Sequence, residues 1–259
     1  MPEHPSNSGT HSGQEDWNHH WDHYSRATRS NPAQALRRRL IRRLLGANAN
    51  TPGATIIDIG CGSGDLLAEM ARHFPRAAFA GTDLSDSGLA ETARKLPDAL
   101  LQRCDLTIPD GAPDDLAGWA SLAVCSEVLE HVDDPAALLA NIVPCLKPTG
   151  RLVVTVPGGP MSAFDKHLGH RRHFTKTELS DLLEGAGLQV EIAAAAGFPT
   201  FNLYRWVVIA RGDRLGDDVN NAPGLLARTV MAAFDVLLRA SKFDAPWGWQ
   251  IVASARKAE

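Results

Sequence analysis

The sequence predicts an α/β fold in which seven strands form a doubly wound, mostly parallel sheet with helices on both faces. From residue 54 onward, short apolar runs rich in β-branched residues alternate with longer segments of helical periodicity. Strands that alternate with helices pair in parallel through right-handed crossovers, and this arrangement places helices on both faces of the sheet. A helical segment precedes this core, and a helical insertion precedes its last strand.

The predicted strands are short and largely apolar, as expected for a sheet that is covered on both faces. They span residues 54–59, 77–82, 100–104, 122–125, 151–156, 189–195 and 250–255. The predicted helices begin at residues that favour helix starts, such as Ser85 and the capping-box pair Thr175 and Glu178. These helices cover residues 33–46, 66–74, 85–96, 135–146, 175–185, 202–211 and 225–240.

The composition of the chain limits the classes of function that it can have. The 259 residues are 44% hydrophobic and 22% charged, which is typical of a globular protein. A net charge of −4 argues against a nucleic-acid partner, and no apolar run is long enough for an integral membrane segment. The four cysteines contain no CxxC pair, which favours reduced thiols and a cytoplasmic location.

The two ends of the chain differ from the core in composition. Residues 1–16 are polar and are expected to form a disordered tail, followed by a single domain over residues 17–259. Within that domain, residues 17–50 are expected to form an N-terminal helical lid and residues 248–259 the last strand. The arginines of residues 37–43 are interpreted as a solvated helix surface, with contact to an anionic substrate group as the alternative.

A glycine-rich turn follows the first predicted strand. Asp58 ends that strand, and Gly60, Cys61, Gly62 and Gly64 follow it directly before a helix. Glycines allow a tight turn and a close approach to a ligand, while the free N–H groups of the helix start attract negative charge. The turn therefore predicts a ligand that carries a carboxylate or a phosphate.

Acidic residues end the next three strands. Asp83, Asp105 and Glu127 follow the second, third and fourth strands at nearly equal spacing. Because parallel strands end at the same edge of a sheet, these carboxylates are expected on one rim, where ligands of open α/β sheets bind. Residues 54–196 are therefore interpreted as a cofactor-binding core.

Together these motifs resemble the class I S-adenosylmethionine-dependent methyltransferases, in the branch that acts on quinone precursors and natural products. The resemblance covers residues 54 to about 190 and implies a Rossmann-like fold with S-adenosylmethionine as cofactor. The motifs that carry it are Asp58-Ile-Gly-Cys-Gly-Ser-Gly64, Thr82-Asp83-Leu84-Ser85, Cys104-Asp105-Leu106, Cys125-Ser-Glu-Val-Leu-Glu-His131 and Leu146-Lys-Pro-Thr-Gly150.

The resemblance implies a role for each cofactor-binding position. The turn at Gly60, Cys61 and Gly62 would pass the methionine part of the cofactor, with Asp58 ordering the turn. Asp83 would accept hydrogen bonds from the ribose hydroxyls, and Asp105 would accept one from the adenine amino group. Leu84 and Leu106 would enclose the adenine, and the backbone at Cys125 and Ser126 would meet the cofactor's amino group.

Residues that bind the methyl acceptor are expected in the histidine-rich segment after the fifth strand and in residues 197–247. His167 and His170 are the candidate bases, because imidazole titrates near neutral pH. His173, Phe201 and Tyr204 are candidate acceptor contacts, as are Trp21 and Tyr24 of the N-terminal lid. A metal site built from the three histidines and Asp165 is considered, but no metal is expected because loop spacing alone does not define one.

Residues 197–247 have two interpretations, a lid over a hydrophobic or natural-product-like small acceptor and a helical hairpin that serves stability or homodimerisation. A nicotinamide enzyme is disfavoured because the turn is GxGxG and Asp105 would have no role. An RNA or protein acceptor and a non-catalytic S-adenosylmethionine-binding module are the remaining alternatives.

Overall fold

The structure is a computed structural model that describes residues 31–211 and 225–258, and one mixed sheet runs through its centre. The strands are β1 Thr55–Ile59, β2 Ala78–Asp83, β3 Leu100–Arg103, β4 Ala120–Ser126, β5 Leu146–Pro157, β6 Leu188–Ala196 and β7 Gln250–Lys257. Their order is β3-β2-β1-β4-β5-β7-β6. β1 to β5 pair in parallel, and β7 is antiparallel to both β5 and β6. The predicted fold class is confirmed.

Helices cover both faces of this sheet. They are α1 Pro32–Leu45, α2 Asp65–His73, α3 Asp86–Lys95, α4 Pro135–Ile142, α5 Ala163–His167, α6 Lys176–Gly185, α7 Thr200–Arg211 and α8 Leu225–Leu237. The predicted start of α3 is confirmed, because the Ser85 hydroxyl accepts a hydrogen bond from the Gly88 N–H at 3.0 Å. The capping box of Thr175 and Glu178 is also present at the start of α6.

The region between α4 and β5 differs from its prediction. The helix expected over residues 135–146 ends at Ile142 and continues as a short 3₁₀ turn at Val143–Cys145. Pro144 explains the change, because proline has no N–H to donate and its ring clashes with the preceding helical turn. β5 consequently starts at Leu146, well before the expected residue 151.

Buried apolar side chains form one cluster on each face of the sheet. One cluster lies under α4 and α6 and includes Leu139 and Leu183, which are fully buried. The other lies under α1 and α7 and includes Ile41 and Phe201. The N-terminal helix and the inserted α7 therefore belong to the same packed layer of the protein.

The arginines of α1 are not the solvated surface that the sequence suggested. Their ion pairs are Arg37–Glu127, Arg38–Glu69, Arg39–Asp235 and Arg42–Glu69. Arg43 lies 3.9 Å from the ring centroid of Phe243. α1 therefore contacts the sheet through its apolar face and contacts α2, α8 and the end of β4 through its basic residues.

Several expectations concern residues outside the described ranges. These are the tail of residues 1–16, the lid residues Trp17, Trp21 and Tyr24, and residues 212–224 of the insertion. Within residues 31–211 and 225–258, no helix combines the length and apolarity that a membrane span requires.

A buried ion pair joins α7 to the short helix α5. Arg205 donates from Nη1 and Nη2 to the two carboxylate oxygens of Asp165, at 2.9 and 2.6 Å. The backbone N–H and hydroxyl of Ser162 also donate to Asp165, both at 2.7 Å. Burial alone would raise the pKa of Asp165, but the Arg205 guanidinium and the Ser162 donors hold that pKa well below its usual range.

We predict that Arg205→Ala lowers the free energy of unfolding at pH 7 by about 3–5 kcal/mol, because it leaves the Asp165 carboxylate buried without a cation. The loss is expected to shrink as the pH falls from the unfolded pKa of 3.8 toward 2, since a carboxyl with a lowered pKa contributes its full stability above the unfolded value and loses it as the pH falls toward the folded value. Urea unfolding at pH 7 and across this range measures the loss.

The matched control is Arg239→Ala, which removes an exposed i,i+4 pair with Asp235. We expect it to change the free energy of unfolding by less than about 0.5 kcal/mol. Equal losses in the two variants would contradict a structural role for the Asp165–Arg205 pair.

Candidate functional site

A cavity of about 320 Å³ opens at the carboxyl edge of the sheet. It lies where the strand order reverses between β1 and β4, the position at which ligands bind in open α/β sheets. Its lining comes from the ends of β1 and β2, from the loops after β1 to β4, from α4 and from the segment after α5: Ile59, Gly60, Thr82, Asp83, Leu84, Cys104, Asp105, Leu106, Thr107, Glu127, Val128, His131, Val132, Asp133, Asp134, Leu138 and Arg171. A second cavity, of about 330 Å³, lies at the opposite edge and contains none of the predicted site residues.

The turn after β1 needs glycine for two separate reasons. Gly60, Gly62 and Gly64 all have positive φ angles, of 70°, 51° and 72°. A Cβ atom on Gly60 would also lie only 2.6 Å from Cγ2 of Val128. The N–H of Gly60 donates to the Thr82 carbonyl at 2.8 Å, so the turn is held against the end of β2.

Asp83 ends β2, and its carboxylate connects two loops. One oxygen accepts a hydrogen bond from the Gly62 N–H at 2.7 Å, and the other accepts one from the Ser85 N–H at 2.8 Å. Burial raises the pKa of Asp83, while these two backbone donors lower it. Each carboxylate oxygen can accept a second hydrogen bond, so Asp83 can hold the turn and a hydroxyl-bearing ligand at once.

The wall opposite the turn is apolar with one carboxylate. Leu84 and the buried Leu106 line the cavity from the loops after β2 and β3. Asp105 also lines this wall. Its Oδ1 accepts hydrogen bonds from the N–H and the hydroxyl of Thr107, at 2.9 and 2.5 Å. This wall can therefore receive a flat apolar group that carries a hydrogen-bond donor.

The predicted cofactor residues divide into two groups. Gly60, Asp83, Leu84, Asp105 and Leu106 line the cavity. The remaining predicted residues are not part of this lining, and they are Asp58, Cys61, Gly62, Cys125 and Ser126.

Asp58 is the most perturbed carboxyl of the second group. It is buried in β1, and burial together with the nearby charge of Asp83 raises its pKa to about 8. Near neutral pH it is therefore mainly a neutral acid, which a carboxyl in direct contact with solvent would not be. Its role in ordering the turn stays a prediction.

Glu127 connects the cavity to α1 and β7. It follows β4 with a positive φ of 58°, and its Oε2 lies 2.7 Å from Nη2 of Arg37. Its Oε1 accepts from the Gln250 amide at 3.0 Å and from the Thr155 hydroxyl at 3.1 Å. Arg37 also donates to the Gln250 oxygen, so the four side chains form a closed network.

The 3₁₀ turn Leu129–His131, just after Glu127, meets the histidine segment. The backbone N–H of Arg171 donates to the Glu130 carbonyl at 2.8 Å. The ring of His170 stands edge-on to the ring of His131, with centroids 4.8 Å apart. Burial raises the pKa of Glu130 well above its usual range, and burial lowers the pKa of His170 to about 3.

These side chains also include the groups that could hold a metal ion. In one group the ligand atoms of Glu130, His131 and His170 all lie within 4.8 Å of one another. In the other, the same is true of Asp165, His170 and His173.

The two predicted bases lie in different surroundings. His167 is exposed at the end of α5, whereas His170 is half-buried against His131, which lines the cavity. His173, a predicted acceptor contact, has its Nδ1 3.0 Å from the carbonyl of Gly159. From the sequence neither His131 nor Arg171 is assigned a ligand-binding role, although both line the cavity and His131 ends the motif that begins at Cys125.

The predicted acceptor contacts of the insertion are placed away from the cavity. Phe201 is only 1% exposed and belongs to the apolar cluster under α1 and α7. Tyr204 is also buried, and its hydroxyl donates to Oδ1 of Asn31 at 3.0 Å. Trp21 and Tyr24 lie outside the described residues.

The chain is similar to a family model, to curated proteins and to solved structures. The family model for a methyltransferase domain matches residues 33–192, more than half of the chain. Trans-aconitate 2-methyltransferase from Deinococcus radiodurans is 31% identical over 156 residues, 60% of this chain and 53% of that protein. Ubiquinone biosynthesis O-methyltransferase from Xanthomonas axonopodis pv. citri is 30% identical over 164 residues, 57% of this chain and 67% of that protein. The chain thus spans about half the length of the first of these relatives.

Solved structures share the fold at low sequence identity. Geranyl diphosphate C-methyltransferase from Streptomyces coelicolor, in complex with Mg²⁺, geranyl-S-thiolodiphosphate and S-adenosyl-L-homocysteine, has a TM-score of 0.58 and 17% identity. The match covers 87% of this chain and 76% of that one. The cyclase SpnF has a TM-score of 0.56 and 18% identity, with 85% and 80% covered. The glycine turn and the acid-lined rim lie within the matched residues 33–192, and the chain belongs to the methyltransferase domain family.

Proposed function

We propose that this protein transfers a methyl group from S-adenosylmethionine to a small-molecule acceptor. The observation that carries the proposal is the cavity in which Gly60, Asp83 and Asp105 meet at the strand-order reversal of a methyltransferase-family sheet. In the reaction, the acceptor's O, N or C nucleophile forms a bond to the methyl carbon. The carbon–sulfur bond breaks, and its electron pair stays on sulfur.

The donor would lie along the carboxyl edge of the sheet. Asp83 would accept from the ribose hydroxyls, with Leu84 and Leu106 around the adenine and Asp105 accepting from its amino group. The methionine part would pass over the turn at Gly60, where a side chain on residue 60 would meet Val128. The backbone at Cys125 and Ser126, at the end of β4, would face the amino group of the donor.

We predict that Asp83→Ala weakens binding of S-adenosylmethionine about 10- to 100-fold. A hydrogen bond to a charged group contributes about 1.5–3 kcal/mol, and this carboxylate also holds the Gly62 N–H. Isothermal titration calorimetry measures the dissociation constant, with circular dichroism as a check on folding.

Asp98→Ala is the matched control, because Asp98 is exposed and lies outside the cavity lining. It should bind the donor as the wild type does. A folded Asp83→Ala protein with wild-type affinity would overturn the assignment of Asp83.

The acceptor would be a small molecule with an apolar body and a reactive heteroatom or carbon. Val128, Val132 and Leu138 supply apolar lining, while His131 and Arg171 supply polar groups. The relatives named above methylate trans-aconitate and a ubiquinone precursor, as their names state, and these compounds suggest the size range to be screened.

The alternative acceptors have less support. The arginines of α1, on which an RNA or protein acceptor would rest, are engaged with Glu127, Glu69 and Asp235. A non-catalytic binding module stays as an alternative of a different class, and the cyclase SpnF illustrates another activity on this fold.

Of the two predicted bases, we favour His170 as the one that supports the reaction. We expect His170→Gln to lower kcat at least about tenfold and His167→Gln to leave kcat within about twofold, because His170 contacts the cavity-lining His131 whereas His167 is exposed at the end of α5. Steady-state kinetics on an identified acceptor measures this. A loss in His167→Gln with none in His170→Gln would reverse the assignment.

The function itself is tested by incubating the full chain with donor that carries a deuterated methyl group and a panel of small carboxylic acids, phenols and amines. Mass spectrometry should show one labelled methyl group added to an acceptor and S-adenosylhomocysteine released. Tight donor binding with no transfer to any acceptor class would favour the binding module.

Two further properties are proposed with the function. A cytoplasmic location is supported by four unpaired cysteines, three of them buried. A homodimer through residues 197–247 is supported by the exposed apolar side chains of Leu203, Trp206 and Val207 on α7.

A further inference from the structure

Glu130 is a buried carboxyl that the proposed methyl transfer does not use. Its residue is 0% exposed, and neither carboxylate oxygen has a hydrogen-bond partner among the described residues. A buried carboxyl without a partner is costly unless it keeps its proton or meets a cation. The nearby cations are already engaged, since Arg37 pairs with Glu127 and Arg205 pairs with Asp165.

Two imidazoles face this carboxyl. The ligand atoms of Glu130, His131 and His170 lie within 4.8 Å of one another. Glu130 and His131 share the 3₁₀ turn after β4, and His170 arrives from the segment after α5. The hydrogen bond from the Arg171 N–H to the Glu130 carbonyl fixes the two segments against each other.

The neighbouring group of Asp165, His170 and His173 has a different character. Both oxygens of Asp165 already accept from Arg205, and Oδ2 also accepts from Ser162. A cation there would compete with a guanidinium for the same oxygens. Glu130 has no such competitor, so it is the carboxylate that remains available.

We propose that Glu130, His131 and His170 form a binding site for a divalent transition-metal ion. Two imidazoles and one carboxylate suit zinc, manganese, cobalt or nickel, whereas magnesium prefers an all-oxygen set. Metal–ligand bonds of about 2.1 Å place ligand atoms about 3.4 Å apart, so small side-chain rotations would bring the three donors to the ion.

His173 would position the third ligand. Its Nε2 lies 3.4 Å from Nδ1 of His170, and its own Nδ1 lies 3.0 Å from the Gly159 carbonyl. With Nδ1 of His170 facing His173, Nε2 is the nitrogen left for the ion. Such a partner fixes the tautomer and the ring orientation of a ligating histidine.

The site would open onto the cavity. His131 lines the cavity together with Glu127 and Arg171, so a metal ion bound to His131 would have its open positions on the acceptor side. There it could hold a water molecule or an acceptor oxygen and stabilise negative charge on that oxygen. A His170 that binds the ion would support the reaction as a metal ligand and not as the base, and metal binding itself does not depend on the proposed methyl transfer.

The test is metal binding to the full chain after chelator treatment and dialysis. We expect one equivalent of Co²⁺ to bind with a visible absorption spectrum, and Zn²⁺ to compete for it. Glu130→Gln and His170→Gln should each lower the affinity of that equivalent at least about tenfold. Glu130→Gln keeps the shape of the side chain, and its thermal midpoint without metal reports whether it folds.

His167→Gln is the matched control, because His167 lies three residues before His170 and outside the group. It should bind the cobalt equivalent as the wild type does. Histidines of residues 1–30 can also bind transition metals, so the measured quantity is the difference between variant and wild type; they are His4, His11, His19, His20 and His23.

Two results would overturn the site. The first is that neither Glu130→Gln nor His170→Gln lowers the affinity for any bound equivalent of Co²⁺. The second is that His167→Gln lowers that affinity as much as they do. Calorimetry with S-adenosylmethionine in the absence of metal keeps the outcomes separate. Donor binding without metal binding would refute the metal site alone, and metal binding without donor binding would refute the proposed cofactor alone.

Discussion

The carboxylate of Asp83 joins the two loops on which the site depends. It accepts one hydrogen bond from the Gly62 N–H after β1 and another from the Ser85 N–H before α3. Without that acceptor, the glycine turn would lose a buried partner, and a buried donor left unpaired is unfavourable. The same carboxylate lines the cavity, so the group that orders the turn is also exposed to the space in front of it.

Ion pairs order the neighbouring part of this edge in a similar way. Arg37 meets Glu127 at the end of β4, and Arg205 meets Asp165 of α5. These pairs connect the N-terminal helix and the insertion to the carboxyl edge of the sheet. The segments outside the minimal sheet therefore shape the site through charge pairing as well as through apolar packing.

The fold alone does not identify the reaction, since similar structures include methyltransferases and the cyclase SpnF. What separates such activities is the set of polar groups at the mouth of the cavity. Here that set includes Glu127, His131 and Arg171, with Glu130 and His170 directly behind them. The acceptor chemistry is thus a property of the loops after β4 and β5.

Much of the donor side could be predicted from the sequence, because local patterns determine it. Strand ends, glycine positions and cap residues depend on neighbouring residues, so the glycine turn and the acids Asp83 and Asp105 could be placed on one rim. The acceptor side could not be predicted in the same way, because it depends on contacts between distant residues. Arg37 and Glu127 are far apart in sequence, and so are Asp165 and Arg205, Glu130 and His170, and Phe201 and its core neighbours. No periodicity shows that an arginine on α1 will be neutralised or that an aromatic residue will turn inward. The sequence by itself determined the fold class and the expected donor site, whereas only tertiary packing decided which charges are paired and which carboxyl is left without a partner.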